Sequence, residues 1–394
     1  MASPLDGLKV LDCTHVIAGA WCSLLLADMG ADVIKIEPLE GETTRGHPKA
    51  RFKAFDYVNR NKRSLAVDLS KPEGQAVIRR LARSADVFVE NYRPGALERM
   101  GLGYAQLSAE NPRLVYASVS GFGHTGPYRD RGGFDLIAQA MSGIMSFTGE
   151  VGSTRPTAAG VPLSDLNAGL FAALGVLAAL RHRDQSGEGQ HVETSLLESA
   201  IAYTVWETGL HLSTGEVAKP NGSRHRLAAP YEALKTADGH VVVGVNNERL
   251  WARFCQALGD PALKDDPRFA DNRARVQNRD ALAERIEEVL AGDTTEAWVA
   301  RFEAAGVPSG PINTIDKALT DPHVTARGLL AEVDGRRFTR TPLQFSKTPV
   351  AVKRGPPPLG SSSRDVLAEA GLPPEEIDKL VASGVVGAGE DVKA

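Results

Sequence analysis

Cysteine is scarce in this sequence: three residues, Cys13, Cys22 and Cys255, among 394. They form no C-x-x-C pair, and an odd number cannot pair completely. A disulfide framework is therefore excluded, and a reduced, cytoplasmic setting is the expectation. An excess of positive charge is also lacking. Lys and Arg number 45 against 49 Asp and Glu, a formal net charge of -4, so neither nucleic acid nor an anionic membrane is expected as a partner. The start, MASPLDGLKVLDCTHVIAGA, has no basic segment ahead of an apolar core, which speaks against a signal peptide. The apolar run over 166–180 falls short of the ~20 residues that a bilayer requires. It is apolar nearly all round, which predicts a helix buried on most sides.

Several catalytic signatures are missing too. There is no G-x-S-x-G nucleophile elbow and no H-E-x-x-H, and the nine histidines are scattered without ligand spacing, so no metal is expected. GFGHTG, residues 121–126, matches G-x-G-x-x-G. It runs into Pro127 and the charged YRDRGG rather than into a helix, and it lies late in the chain. It therefore reads as a mobile loop and not as a dinucleotide site. Cys13 and Cys22 sit in apolar surroundings and read as buried structural thiols.

What is present is a repeating strand–helix–strand pattern. LKVLDCT, ADVIKIE, RSLAVDL, DVFVEN and RLVYASVSGF read as strands. AWCSLLLADMG, closed by Gly30, and SKPEGQAVIRRLARSA read as helices between them. Ser70 and Glu73 stand at capping-box spacing, with Pro72 in the first turn. FDLIAQAMSGIMSF is expected to be helical, and GEGQHVETSLLESAIAYTVW a strand followed by a helix. This pattern predicts an α/β domain with a mostly parallel sheet over residues 1–215. A polar stretch follows. Residues 225–325 then carry a hairpin at Asp238–Gly239 and three amphipathic helices, predicting a smaller α+β domain. Residues 326–394 add a second hairpin in LLAEVDGRRFTRTPLQF, two closing helices and a frayed tail, GAGEDVKA.

Two features carry the functional reading. Loops after predicted strands hold Arg45, Lys62, Arg63, Lys71, Arg93 and Arg99, a setting suited to a phosphate-bearing ligand. The second is VPLSDLNAGLFAALGVLAAL, where Asp165 heads an apolar helix. As a cap it would accept a first-turn N–H. As a chemical group it would be a carboxylate kept ionised by the helix terminus.

Taken in order, GLKVLDCTHVIAG, LLADMGADVIKIEP, NRNKRSLAVDLSKPEG, ADVFVENYRPGALERMGLGY, NPRLVYASVSGFGHTGP, SDLNAGLFAALGVLAAL and GEGQHVETSLLESA resemble the successive blocks of the class III CoA-transferases. That family includes formyl-CoA and carnitine CoA-transferases and 2-methylacyl-CoA racemase. The resemblance implies a Rossmann-like large domain built from both chain ends, a small domain between them, and two chains interlocked as a homodimer. It implies that Asp165, in the D-x-x-x-G block with Gly169, is the nucleophile. It implies CoA contacts at Ile17, Ala18, Leu69, Lys71, Asn91, Tyr92, Arg93, Arg99 and Met100, with Asp135 counted among them. Some members carry Gln and Arg where Ile17 and Pro38 stand here.

The implied activity is transfer of CoA from an acyl-CoA, succinyl-CoA by the family's habit, to a carboxylic acid, with a covalent aspartyl intermediate and no tightly bound cofactor. Glycines 121–126 and 132–133 are candidates for oxyanion binding. His15, Arg45, Arg224, His225 and Arg226 are candidates for holding a second carboxylate. One alternative is a 2-methylacyl-CoA racemase on the same fold. It is disfavoured because Gly133-Phe134-Asp135 has Phe where those enzymes place an acid–base His. The other is a non-catalytic CoA- or nucleotide-binding module in which Asp165 serves only as a cap.

Overall fold

The computed structural model describes residues 2–47 and 49–389. In chain order the strands are β1 (Lys9–Cys13), β2 (Asp32–Glu37), β3 (Arg63–Val67), β4 (Val87–Glu90), β5 (Val115–Ser120), β6 (His191–Ser195), β7 (Tyr231–Lys235), β8 (His240–Gly244), β9 (Ser309–Pro311), β10 (Leu330–Val333), β11 (Arg336–Thr339) and β12 (Val386–Gly387). Seven of them form one sheet in the order β12-β3-β2-β1-β4-β5-β6. β1 to β6 pair in parallel and β12 joins β3 antiparallel at the edge.

Side chains alternate across a strand, and here both faces are apolar. Leu11, Phe88 and Tyr116 point into one core, beneath the helices Pro72–Ala82, Ser363–Glu369 and Pro374–Ala382. Val10, Val87, Val89, Val115 and Ala117 point into a second core, beneath the helices Ala18–Asp28 and Leu163–Ser186. Continuous apolar strands covered on both faces are what a parallel sheet requires. The order reverses between β1 and β4. In open α/β sheets the crevice outside the strand ends at such a reversal is where ligands bind.

The chain divides into two compact units, one over Met1–Met145, Ala158–Glu216 and Arg327–Ala394, the other over Ser146–Thr157 and Val217–Ala326. Residues 146–157, expected with the first domain, group with the second unit. That unit has a three-stranded antiparallel sheet, β7-β8-β9. Its core centres on Trp251, Phe254 and Phe302. β9, Ser-Gly-Pro, has no β-forming residue that pattern reading could detect; pairing with β8 makes it a strand.

Four local expectations need correction. Ser70 does not cap: Lys71 is the N-cap, and the Ser70 hydroxyl and N–H both donate to Asp68 Oδ1, at 2.6 and 2.9 Å. The helical stretch after Phe134 breaks at Gly143, whose φ of 90° ends one helix before the next begins. The tail is not frayed where it is described. Gly387 pairs with Ala66, and the Gly389 N–H donates to the Gly360 carbonyl; the rest of the expected frayed tail, 390–394, lies outside the described residues. Finally, the Asp165 helix is 24 residues long, enough in length and composition to cross a membrane. It is not buried on most sides: Leu170, Phe171 and Leu174 are exposed, while Ala168, Ala172 and Val176 are buried.

Candidate active site

The Asp165 helix starts at Leu163 with Pro162 as its N-cap, and Pro162 gives no side-chain cap bond. Asp165 is therefore the third helical residue and not the cap. Asp135, the first residue of the helix Asp135–Met141, supplies the missing acceptor. Its Oδ1 accepts the N–H groups of Ser164 at 2.7 Å and Asp165 at 3.4 Å, while Oδ2 accepts from Gln139 at 2.7 Å. The two acids thus divide the tasks that the sequence assigned to one. Among the described residues the Asp165 carboxylate receives no hydrogen bond.

Glycines set the approach of the elements around it. A Cβ on Gly169, one turn below Asp165, would stand 2.4 Å from the Ala18 carbonyl oxygen and 3.0 Å from Trp21 Cβ. The D-x-x-x-G spacing therefore lets the helix beginning at Ala18 press against the first turns of the Asp165 helix. Gly121 and Gly133 cross with equal closeness: a Cβ on either would lie 2.7 or 2.5 Å from the other's Cα. That crossing brings the 131–134 loop to the end of β5.

The β1 loop is held from β4. Asn91 Oδ1 accepts the His15 N–H at 2.9 Å and its amide donates to the His15 carbonyl at 2.8 Å. Next to His15, Val16 has φ 64°, a conformation that a β-branched residue keeps only under constraint.

These pieces enclose a cavity of about 220 Å³ at the β1/β4 reversal, lined by Asp165, Ile17, Ala18, Asn91, Tyr92 and Arg93 among the residues singled out from the sequence. His15, Arg131, Gly132, Gly133 and Phe134 also line it. A groove of about 380 Å³ at the ends of β2 and β3 holds Leu69 and shares Tyr92 with the cavity.

Lys71, Arg99, Met100 and Asp135 line neither. Lys71 donates to the carbonyls of Ser383 and Gly384. Met100 packs on the core and its carbonyl accepts from Arg79. Arg99 is exposed at the end of the short helix Ala96–Arg99.

Most of the other basic residues are committed elsewhere. Arg45 is paired with Glu37 at 2.6 Å, and Arg63 with Asp32 and Glu369. Arg224 is paired with Glu232 and Asp280. Lys62 is buried against Asp12 at 2.8 Å. Burial alone would raise the Asp12 carboxyl, but Lys35 and Lys62 more than offset it and hold it well below the ordinary range. Gly123 gives its N–H to Ser120 Oγ at 2.8 Å, so it is not available to an oxyanion.

Two carboxyl groups, Asp165 and Glu90, are displaced upward. Burial first, and the neighbouring Asp135 second, push Asp165 up to about 7. This reverses the expectation that the helix start keeps it strongly ionised: desolvation outweighs the terminus. Burial also pushes Glu90 up to about 7, against hydrogen bonds from Ser118 and the Tyr92 N–H. His15 is lowered, by burial and then by Lys35. Burial raises the Cys13 and Cys22 thiols to about 12, leaving them inert. Sequence reading missed Asp135 as the cap, Arg131 in the cavity wall and Glu90 beneath it. YRDRGG had marked Arg131 as charged loop, and nothing local marks the other two roles.

A family model described as CoA-transferase family III matches residues 5–363. A succinate–glutarate CoA-transferase of Agrobacterium fabrum is 40% identical over 383 residues, covering 93% of this chain and 95% of that protein. The mouse succinyl-CoA:glutarate CoA-transferase is 38% identical over 395 residues, covering 97% and 90%. The crystal structure of a CAIB/BAIF family protein from Brucella suis superimposes with a TM-score of 0.86 at 37% identity, covering 94% of this chain and 100% of that one.

Proposed function

This chain belongs to CoA-transferase family III and is an acyl-CoA:carboxylate CoA-transferase, and we propose that it works through a covalent intermediate on Asp165. The observation that carries this reading is a carboxylate with no hydrogen bond from any described residue, lining a cavity at the sheet's reversal point. A carboxylate whose acid form titrates near 7 is more basic, and so a better nucleophile, than an ordinary one, yet it is largely ionised slightly above neutrality.

In the first step an Asp165 oxygen attacks the thioester carbonyl. The C–S bond breaks, CoA leaves as thiolate and a mixed anhydride remains. The thiolate then attacks the Asp165 carbonyl carbon, releasing the donor acid as carboxylate and leaving an aspartyl-CoA thioester. The acceptor carboxylate repeats the sequence in reverse: it displaces thiolate to form its own anhydride, and the thiolate attacks the acceptor carbonyl. Acyl-CoA departs and Asp165 returns as carboxylate. No proton or electron is gained or lost. We assign the developing oxyanion to the N–H groups of Gly132 and Gly133, a reading supported by both residues lining the cavity.

We assign the acyl-CoA end of the ligand to Ile17, Ala18, Asn91, Tyr92 and Arg93, which line the cavity, and its passage outward to Tyr92 and Leu69 in the neighbouring groove. Lys71, Arg99 and Met100 line neither space, and only the family resemblance supports keeping them in the same assignment. The Asn91 amide acts there by holding His15. Short dicarboxylic acids are the proposed acyl groups, on the substrates named for the relatives.

The Rossmann-like, interlocked homodimer is likewise our reading. It is supported by the strand order and by the exposed apolar row of Leu170, Phe171 and Leu174 on the catalytic helix, which a second copy would cover. The three buried thiols suit a reducing cytoplasm.

Incubation with labelled succinyl-CoA and a panel of acids tests the activity: new thioesters are expected. Loss of α-stereochemistry in a 2-methylacyl-CoA without transfer would favour the racemase instead. Dilution to nanomolar concentration is expected to yield no folded monomer if the chains interlock.

A further inference from the structure

Five titratable side chains line the Asp165 cavity: Asp165, His15, Tyr92, Arg93 and Arg131. His15 is lowered by burial and the nearby Lys35, so its ring is neutral in a neutral solution. The permanent charges are two guanidiniums. Both belong to exposed residues, and neither guanidinium makes an ion pair or a hydrogen bond with any described residue. This sets them apart from Arg45, Arg60 and Arg63, each paired with a carboxylate at 2.5–2.7 Å.

The two guanidiniums are nonetheless placed. The Arg131 Cζ stands 3.7 Å over the ring of Tyr128, and that ring packs edge-on to Phe122 at 5.8 Å. The Arg93 Nη2 comes so near Gly132 that a Cβ there would lie 3.1 Å from it. Gly132 follows Arg131 directly, so the two residues meet the cavity at one wall. Like charges gathered in one cavity repel, and a carboxylate between two planar forks removes that repulsion with bidentate hydrogen bonds.

We propose that Arg93 and Arg131 form the specificity site for the second carboxylate of a dicarboxylic acyl group, so that the acid's reacting end meets Asp165 and its far end meets this pair. The inference rests on the transfer reading above. It adds the residues that separate a dicarboxylic acid from a monocarboxylic one. A CoA phosphate is the other anion in the reaction. The pantetheine arm holds those phosphates away from the thioester, and the cavity with Asp165 must hold the thioester carbonyl, so the carboxylate is the better occupant.

The test compares glutarate with pentanoate as acceptors, which differ by a carboxylate against a methyl group, using acetyl-CoA as donor throughout. Wild type is expected to favour glutarate in kcat/KM. Arg131→Gln and Arg93→Gln are each expected to lower that preference by roughly 10- to 100-fold, the loss typical of a charged hydrogen bond. The loss should be carried by a higher glutarate KM. Arg131→Lys, which keeps charge but loses the fork, should fall between. An equal loss with both acids would overturn the proposal, and so would a parallel rise in the KM for acetyl-CoA, which would assign the pair to CoA phosphate. If wild type transfers CoA to no acid from either acetyl-CoA or succinyl-CoA, the transfer reading itself falls and takes the pair with it. If it transfers and the substitutions leave the preference unmoved, only the pair falls.

Discussion

Asp135 Oδ1 accepts the backbone N–H of Ser164 at 2.7 Å, across 29 residues of chain. The acid that caps the helix is therefore not the acid that the helix presents. The arrangement has two effects on Asp165. Its carboxylate is released from capping, and it acquires a neighbouring negative charge that, after burial, raises its proton affinity.

Asp165→Asn separates the roles. The cap is Asp135, so the variant is expected to fold and bind CoA with near-normal affinity. An amide cannot form the anhydride, and transfer should fall by roughly 10³-fold or more. Kinetics and calorimetry on the same preparation check this. Mass spectrometry of wild type during turnover should find acyl or CoA mass on the Asp165 peptide. Near-normal rates in the variant would remove Asp165 from the chemistry.

Activity is expected to rise with pH through about 7 and then level, because in the proposed mechanism only the ionised Asp165 attacks. Asp135→Asn keeps an oxygen acceptor for Ser164 but removes the like charge, so the acid limb should move to lower pH. Stability has the opposite slope. Between about 4 and 7 the folded state holds a proton at Asp165 that the unfolded chain has released, so the folded state loses stability as pH rises through that window. In Asp165→Asn this contribution should vanish. A pH–rate profile and thermal melts at several pH values read both.

Gly169→Ala places a methyl group 2.4 Å from the Ala18 carbonyl. Alanine is the better helix former by about 1 kcal/mol, so a glycine kept only by chance would give a stabilised variant. Overpacking typically costs about 1–3 kcal/mol. The expectation is a net loss of stability together with a higher KM for acyl-CoA, because the 15–18 loop must shift. A urea titration that shows stabilisation would refute this account of the motif.

Val16→Gly should leave stability within about 1 kcal/mol of wild type, where a valine-to-glycine change at an unstrained site would cost more. Glycine takes φ 64° without the penalty that a β-branched residue meets, and this offsets the burial lost from a side chain that is only 37% exposed and the extra freedom of glycine in the unfolded chain. The strain is held by the Asn91–His15 clamp. Asn91→Ala should therefore weaken CoA binding even though its amide is committed to the backbone.

Periodicity and composition determined much of this protein before any coordinates. Near-continuous apolar runs such as KVLDC and VFVE are satisfied by burial on both faces, and the intervening helical patterns then require a parallel sheet. The ordered blocks from Gly7 to Ala200 pointed to the family, and SDLNAG pointed to the acid. Tertiary structure decided what distance along the chain conceals. Capping passed from Asp165 to Asp135, because an acceptor 29 residues away folds into reach of the first-turn N–H groups. Arg45, Lys62 and Arg63 look like ligand-binding cations in the sequence. The sheet places Glu37, Asp12 and Asp32 against them. Arg93 and Arg131 come from separate loops that line one cavity, with the Arg93 guanidinium beside Gly132. Local pattern reports which face of an element is apolar; which charges meet, and which are left facing a cavity, depends on the packing of elements far apart in sequence.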